Sequence, residues 1–399
     1  MYDQKIIVWL AIVFFCFLFA CQRKYSTQSE GEATADGIRY PISIPFEEGV
    51  GKVRDVPLSQ IARQVRYIHL ETTSQSLLKR VSSVLFEPSG NQFYISDLRG
   101  VYMFSGEGRF IGRLGRNGQG PGEYSYIRSL VTDKEKEHIY VLSNGKLISY
   151  LTDGTWKNDW KAPDMMQFIL LNDTTIVYFV YNSGYQKHSL LLTNLKGDSI
   201  GSFPQYERAA VKKDGVQRMF MGANDRFLFS YAGEICFKDY YSDSLFVVKS
   251  DSLQVRYVFQ MGSYGLPPES RFENIKGDIN QYNTTVASYL RPTVLETKEY
   301  IFLPTGHWMA KDEVENRLLI YDKRSCDCYE VQGGKIKDDL CGGSSLYPFT
   351  TLDDSTLLGV CDASIILENA AKDPGLLERM GLRGLTEDDN PVLMLVTLK

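Results

Sequence analysis

The amino-acid sequence predicts an all-β protein, a six-bladed β-propeller built from four-stranded antiparallel blades. The first observation is composition: 25 Tyr and 21 Phe, together with many Val, Ile and Thr, favour strands. With 43% hydrophobic and 23% charged residues, the chain also has the balance of a folded protein. The second observation is a strand pattern that recurs about every 45 residues, a period typical of propeller blades.

The repeating unit consists of a hydrophobic strand, a polar turn, two further strands, a glycine turn and an outer strand. The first three copies span 81–114, 127–157 and 168–203. Gly108 and Gly154 stand in the final turns of the first two copies, 46 residues apart, and Gly197 follows 43 residues later. This regular spacing predicts one blade per copy.

The later copies are less regular, at 218–260, 286–331 and 346–398. A polar insertion covers 261–285, and 363–380 reads as a helix broken at Pro374. Six copies account for the mature chain, and a ring must join its last blade to its first. We expect the strand 40–44 to close the ring by adding to the final blade. A pair of β-sandwiches and a seven-bladed ring are the alternatives.

The N-terminal sequence predicts an export signal. An apolar run of 15 residues from Ile6 to Ala20 follows Lys5, and this length suits a signal peptide better than a transmembrane helix. The run ends at Leu18-Phe19-Ala20-Cys21, which resembles a lipobox, so Cys21 is the predicted lipidation site. The predicted domains are a signal peptide at 1–20, a flexible tether at 21–37 and the propeller at 38–399. An ordinary secretory signal and a short uncleaved anchor are the alternatives.

A glycine-rich segment from Arg113 to Tyr124 separates the first two copies. This segment and the Ile-Tyr-Val strand after it resemble the six-bladed β-propeller lipoproteins of Bacteroidetes, which look like NHL-repeat proteins. The resemblance is strong only over 93–154. It implies a propeller in the cell envelope, and it supplies no functional residue. The basic residues Arg23 and Lys24 favour the periplasmic side of the outer membrane.

Residues Gly118 to Gly122 could be mistaken for a phosphate-binding loop. The segment lacks the lysine and the strand-to-helix setting of such loops, so we interpret it as a structural connection.

Five cysteines follow Cys21, namely Cys236, Cys326, Cys328, Cys341 and Cys361. The last four are close in sequence, which makes one or two local disulfides plausible, and buried free thiols are the alternative. The spacing does not match structural zinc patterns, so no metal is predicted.

No catalytic constellation stands out. The four histidines, His69, His138, His188 and His307, are not at ligand spacing, and the pairs Glu47-Glu48 and Asp388-Asp389 read as solvated loops. No nucleophile elbow is present, and no cofactor is predicted. The interspersed charges, with a net charge of −5, argue against nucleic-acid binding.

The predicted function is therefore a binding or scaffold module, held at the membrane by its lipid anchor, with a glycan or an envelope protein as partner. Trp156, Trp160 and Trp308 are candidates for stacking on sugar rings, although packing in the core is the more frequent role. The alternative is a hydrolase or lyase at the mouth of the propeller channel, which requires carboxylates, Arg and His to converge at one end.

Overall fold

The computed structural model describes residues 40–133, 135, 137–182, 184–208, 226–271, 279–308 and 317–399. The strands form a six-bladed propeller, which confirms the predicted fold and rules out the β-sandwich and seven-bladed alternatives.

Blades 1 to 3 follow the chain in order, and each is a four-stranded antiparallel sheet. The strands of blade 1 are Ser83–Glu87, Gln92–Ser96, Val101–Ser105 and Phe110–Arg113. Those of blade 2 are Ile127–Thr132, His138–Ser143, Lys146–Leu151 and Trp156–Lys161. Those of blade 3 are Gln167–Asn172, Thr175–Phe179, His188–Asn194 and Ser199–Pro204.

Blades 4, 5 and 6 each combine their own strands with one strand from residues 42–69. Blade 4 contains Leu228–Tyr231, Glu234–Phe237, Ser244–Val248 and Leu253–Phe259. Blade 5 contains Leu290–Pro292 with Leu295–Glu296, then Tyr300–His307, Arg317–Asp322 and Asp327–Val331. Blade 6 contains Thr350–Asp353, Thr356–Cys361 and Val392–Leu398, with Ala62–His69 as its outer strand.

The ring closes through Ala62–His69, which pairs with Val392–Leu398 in antiparallel register. The prediction that 40–44 closes the ring is therefore wrong. Ile42–Ile44 is a strand, but it adds in parallel to the outer strand of blade 4. Val53–Arg54 adds in the same way to blade 5, so the chain lies along the rim of two blades before it completes the third. Only Ala62–His69 is long enough to match the seven residues of its partner strand.

Helical segments lie between the strands. Along the rim these are Phe46–Gly49 and Leu58–Ile61. The predicted insertion contains the 3-10 turns Gly262–Tyr264 and Pro268–Ser270 and the helix Ile279–Val286. In blade 6 the helices Ala363–Lys372 and Leu376–Arg379 flank Pro374, as predicted, and a 3-10 turn at Gln332–Gly334 follows blade 5. The short strands Arg116–Asn117 and Glu123–Tyr124 pair within the glycine-rich segment.

The hydrophobic core is divided into six clusters, each between two successive blades. For example, Ile68 of the closing strand packs with Phe93 and Phe104 of blade 1, and Tyr94 of blade 1 packs with Ile139 and Ile148 of blade 2. Because every cluster needs side chains from two blades, no blade buries its apolar surface alone.

The glycines that carry the sequence period have a common structural role. Gly108, Gly154 and Gly197 all have positive φ, at 86°, 90° and 88°. A Cβ on Gly108 would stand 2.0 Å from the carbonyl oxygen of His69, and one on Gly197 would stand 2.7 Å from that of Lys161. The glycine turns of blades 1 and 3 therefore pack against the outer strand of the preceding blade, and that of blade 2 lies against Met103 of blade 1.

The alternation of strand direction gives the propeller two different faces. The first-to-second and third-to-fourth strand turns lie on one face, which we call the hairpin face. The connections between blades, together with the second-to-third strand loops, lie on the opposite loop face. The helices of blade 6 and the glycine-rich segment belong to the loop face, which is where binding residues concentrate in many folds.

Candidate functional site

The candidate site is the central channel, a cavity of about 1130 Å³. The first strands of five blades form its wall, and all five run from the loop face to the hairpin face. The lining segments are 80–86, 126–133, 166–173, 226–233 and 349–355. The volume is slightly larger than the usual range for small-molecule sites, which ends at about 1,000 Å³.

Blade 5 supplies none of the described residues that line the channel. The hairpins of its neighbours meet in front of it: the Ala232 amide of blade 4 donates to Asp354 Oδ1 of blade 6 at 3.2 Å. The amide of Lys298 in blade 5 donates to the carbonyl oxygen of Asp354 at 2.8 Å from behind. In the described part of the chain, the channel wall is therefore asymmetric, with five of the six blades contributing to it.

The middle of the wall mixes apolar and small polar side chains. The half-buried apolar members are Leu85, Phe86, Leu130, Val131, Ile169, Leu171, Phe229 and Leu352. Ser83, Ser129 and Thr351 stand beside them and are also half-buried. Such a wall suits a ligand with an apolar body and some hydrogen-bonding groups.

The mouth on the loop face is basic. Arg80 precedes the first strand of blade 1, Arg128 is the second residue of that strand in blade 2, and Arg226 precedes that strand in blade 4. Arg128 is held in place: its Nε donates to Asn144 Oδ1 at 3.3 Å, and its guanidinium lies 5.1 Å from the Tyr126 ring. We call Arg80, Arg128 and Arg226 the arginine mouth.

Arg226 is desolvated at this mouth. It is half-buried, and burial lowers the pKa of its guanidinium to about 10, so the group remains charged at neutral pH.

The mouth on the hairpin face is acidic. Four aspartates stand at the ends of the first strands of blades 2, 3 and 6: Asp133, Asp173 and Asp354 just after a strand, and Asp353 as the last residue of one. Two of them hold their own hairpins. Asp133 Oδ2 lies 2.7 Å from His138 Nδ1, and Asp353 accepts from the amide of Ser355 at 2.7 Å. These aspartates therefore have a structural role whether or not they meet a ligand.

The comparison with known families assigns the chain. The family described as Domain of unknown function (DUF4934) matches residues 41–397, nearly the whole propeller. The chain belongs to the DUF4934 family.

This DUF4934 protein is similar to several solved structures, of which the first described here supports the fold. A protein of Bacteroides fragilis described as a "Putative exported protein" is 18% identical, with a TM-score of 0.69 over 90% of this chain and 99% of that one. A protein of unknown function from Bacteroides caccae is 9% identical, with a TM-score of 0.38 over 63% and 81% of the two chains. The Pan2 WD40 domain of Neurospora crassa is 11% identical, with a TM-score of 0.40 over 78% and 82%. No curated protein matches the chain.

The glycine-rich segment of the DUF4934 protein is held firmly by blade 2. The amide of Gly120 donates to Glu123 Oε2 at 2.8 Å, and that of Gly122 donates to the Asp159 carboxylate at 3.1 Å. Lys146 Nζ bonds both the Gly120 carbonyl oxygen, at 2.8 Å, and Asp159. Because protein carboxylates already occupy these amides, the segment is a structural connection, as its sequence predicts.

The cysteine prediction is resolved in favour of thiols. All five described cysteines are free, so the expected local disulfides are wrong. Burial raises the pKa of Cys236 and Cys328 to about 12 and that of Cys361 to about 11. Cys326 is exposed in a turn. The predicted lipidation site, Cys21, lies outside the described residues.

The histidines stay apart, each on a different blade. His69 Nε2 lies 3.4 Å from Asp389 Oδ2, away from the channel lining, and His138 pairs with Asp133. His188 is the first residue of the third strand of blade 3, and His307 is the last residue of the strand Tyr300–His307 in blade 5. Of the paired carboxylates, Glu47 accepts from Ser263 at 2.8 Å on the rim. No group of three or more potential metal ligands converges among the described residues.

The three tryptophans have different environments. Trp308 is 5% exposed and stacks on Tyr241, with 5.5 Å between ring centroids, and Trp160 stacks on Tyr140 at 6.5 Å. Trp156 is 45% exposed on the outer strand of blade 2, and its Nε1 donates to Asp159. None of the three lines the channel.

Sequence reasoning missed the arginine mouth. Its members are far apart in sequence, and their common feature is their position at the start of a first strand. Reading the residues at that position in every copy would have found Arg80 and Arg128. In the described part of the chain, no helix is long and apolar enough to span a membrane.

Proposed function

We propose that this protein is a binding module of the cell envelope and that its ligand occupies the central channel. The observation that carries this proposal is the channel itself: an open cavity with a mixed apolar and polar wall and oppositely charged mouths. The blades of a propeller surround a central channel. Here the half-buried apolar side chains of five blades remain in contact with the cavity.

The proposed location rests on the N-terminal segment. A signal peptide at 1–20, lipidation at Cys21 and a tether at 21–37 would hold the propeller at the outer membrane, on the periplasmic side. The description of the Bacteroides fragilis structural relative as exported agrees with this location. A Cys21→Ser variant should no longer incorporate an alkyne-labelled fatty acid. It should also no longer be recovered with the membrane fraction. Continued labelling of that variant would contradict the proposed anchor.

The distribution of charge favours binding over catalysis. In the described part of the channel the arginines stand at one mouth and the aspartates at the other, so carboxylates, Arg and His do not meet at one end. The hydrolase or lyase alternative required that meeting.

A plugged channel tests the proposal. Ser129→Trp places an indole on the half-buried first strand of blade 2, whereas Ser325→Trp places one in an exposed turn of blade 5. Both variants and the wild type are compared on a glycan array and in pull-downs from envelope extracts. We expect a ligand that the wild type and Ser325→Trp retain and Ser129→Trp loses. The absence of any ligand above background, or its retention by Ser129→Trp, would contradict the proposal.

A further inference from the structure

We propose that the arginine mouth binds the anionic group of the ligand, and that this ligand is an organic anion with one carboxylate, sulfate or phosphate group on a largely apolar body. This inference rests on the proposed binding function and specifies the chemical class of its ligand. Arg80, Arg128 and Arg226 would hold the anionic group, while the body lies along the channel wall.

The first argument is convergence. Three arginines from blades 1, 2 and 4 line one cavity, and each stands at or just before the loop-face end of a first strand. Because all first strands run in the same direction, these positions surround a single opening. Guanidinium groups recognise carboxylate and phosphate oxygens through paired, charge-assisted hydrogen bonds.

The second argument is the lack of compensating charge. Arg80 and Arg226 form no hydrogen bond or ion pair with any described residue. Arg128 has one acidic neighbour, Asp164, at 3.7 Å, and that carboxylate is 72% exposed. Arg226 is nevertheless half-buried. Partial burial of a cation is unfavourable when no described residue pairs with it, and a ligand of opposite charge would offset this cost.

Other arginines removed from solvent in this propeller are paired. Arg256 contacts Glu234 at 2.8 Å and Glu296 at 3.0 Å. Arg271 contacts Glu207 at 2.7 Å, and Arg317 contacts Glu330 at 3.2 Å. Arg226 therefore departs from the pattern of the other partly buried arginines around it.

The third argument concerns the body of the ligand. Beyond the arginine mouth the wall is rich in half-buried apolar side chains, including Leu85, Leu130 and Ile169. The far mouth carries four aspartates, which would repel a second negative group. A single anionic group at one end therefore fits the channel better than a polyanion, and the ligand enters with its charged end toward the loop face.

A pair of matched dyes tests the inference. 8-Anilinonaphthalene-1-sulfonate has an apolar body and one sulfonate, and N-phenyl-1-naphthylamine is the same body without the charge. Affinities are measured by fluorescence titration of the folded protein, with near-UV circular dichroism as a check on folding. The variants are Arg80→Gln, Arg128→Gln and Arg226→Gln. The control is Arg116→Gln, in the glycine-rich segment, where an exposed arginine pairs with Glu123.

We expect each mouth variant to bind the sulfonate dye about tenfold more weakly, the size of one lost charge-assisted hydrogen bond. Binding of the neutral dye should not change, and Arg116→Gln should match the wild type for both dyes. Arg80→Gln is the safest variant for folding because Arg80 is exposed and makes no contact that the fold requires.

The two proposals fail in different ways. If Ser129→Trp leaves both dyes bound as in the wild type, the channel is not the binding site and the proposed function fails. If Ser129→Trp displaces both dyes but the mouth variants bind the sulfonate dye normally, the channel binds ligands and only the anion inference is overturned. An equal loss of both dyes in the mouth variants would also overturn the inference.

Discussion

Gly108 shows how a single residue maintains the contact between two blades. Its φ of 86° is a region that residues with a Cβ rarely adopt, and the turn lies against the closing strand of blade 6. The equivalent glycines of blades 2 and 3 have the same conformation. The period that reveals the blades in the sequence is therefore a period of required backbone geometry.

Replacing this glycine should be costly. We expect Gly108→Ala to lower the free energy of unfolding by about 2 kcal/mol or more, from the unfavourable φ and the collision with the His69 carbonyl oxygen. Gly306→Ala is the control, because a Cβ there meets no atom within 4 Å. Its effect should be within about 1 kcal/mol of zero. Urea denaturation measures both, and equal effects would refute the role assigned to Gly108.

Glu296 is the centre of a buried ionic network between blades 4 and 5. Its Oε1 accepts from Tyr257 Oη at 2.6 Å, Lys323 Nζ at 2.7 Å and Arg256 Nη2 at 3.0 Å. The side chain has no exposed surface. Burial lowers the pKa of Lys323, and the carboxylate of Glu296 opposes this shift. Two cations thus share this buried carboxylate, and Arg256 also pairs with the partly exposed Glu234.

Replacing Glu296 by a neutral residue should strongly destabilise the contact between blades 4 and 5. Glu296→Gln leaves Arg256 and Lys323 without their shared counter-ion, and we expect a loss of about 3 to 5 kcal/mol in unfolding free energy. Glu299→Gln removes a surface pair with Arg324, which is 83% exposed, and should cost less than about 1 kcal/mol. Thermal and urea unfolding measure the loss of unfolding free energy in both variants. Equal losses would contradict the role assigned to Glu296.

At the scale of elements, the N-terminal segment is a strap of three strands along the rim. Its middle strand, Val53–Arg54, is the shortest, and side chains reinforce it: Lys52 and Arg54 both pair with Asp327 of blade 5. Hydrogen bonds from Lys52 and Arg54 hold the pKa of the Asp327 carboxyl below its usual value, and the bond from Lys52 has the larger effect.

The strap should loosen when Asp327 loses its charge. Because the folded-state pKa of Asp327 is depressed, its stabilisation is complete above the unfolded pKa of about 4 and is lost as pH falls through the folded value. Amide protection at Val53 and Arg54 should therefore decrease in acid. At neutral pH, Asp327→Asn should speed tryptic cleavage after Lys52 and Arg54 several-fold.

The control for the strap is Asp251→Asn, in an exposed turn of blade 4 where the carboxylate contacts only Ser252. Cleavage of that variant at the wild-type rate is expected. Unchanged cleavage of Asp327→Asn would show that the backbone pairing alone holds the strap.

At the scale of the whole molecule, the two ends of the chain are joined in one blade. Ala62–His69 and Val392–Leu398 pair side by side, and Ile68 also packs into the cluster between blades 6 and 1. A ring of blades that pack only on their neighbours is stable when every interface is made. Folding should therefore be a single cooperative event that requires residues from both ends.

Truncation tests this closure. A variant lacking residues 1–38 keeps every described strand and should unfold in one transition like the full chain. A variant lacking residues 1–70 loses the closing strand and should show no sharp near-UV spectrum, because three interblade clusters lose buried side chains. A synthetic peptide spanning 40–70 carries the removed members of all three clusters and should restore that spectrum when added. A native spectrum without the peptide would contradict the closure role.

The sequence alone determined the number of blades, their approximate limits and the interrupted helix at 363–380. These follow from local rules, namely alternating side chains, turn residues and glycines at a fixed period, and local rules can be read along the chain. The role of the glycine-rich segment followed in the same way, from the setting that phosphate loops require and this segment lacks.

Only the tertiary structure decided which strand closes the ring, whether the cysteines pair, and which residues meet at the channel. The strand at 40–44 is visible in the sequence, whereas Ala62–His69 lies outside the predicted copies, and which of the two closes the ring depends on the partner that each reaches. Arg80, Arg128 and Arg226 are brought together by the propeller's rotation from blade to blade. A relation of that kind exists in space and leaves no spacing in the sequence.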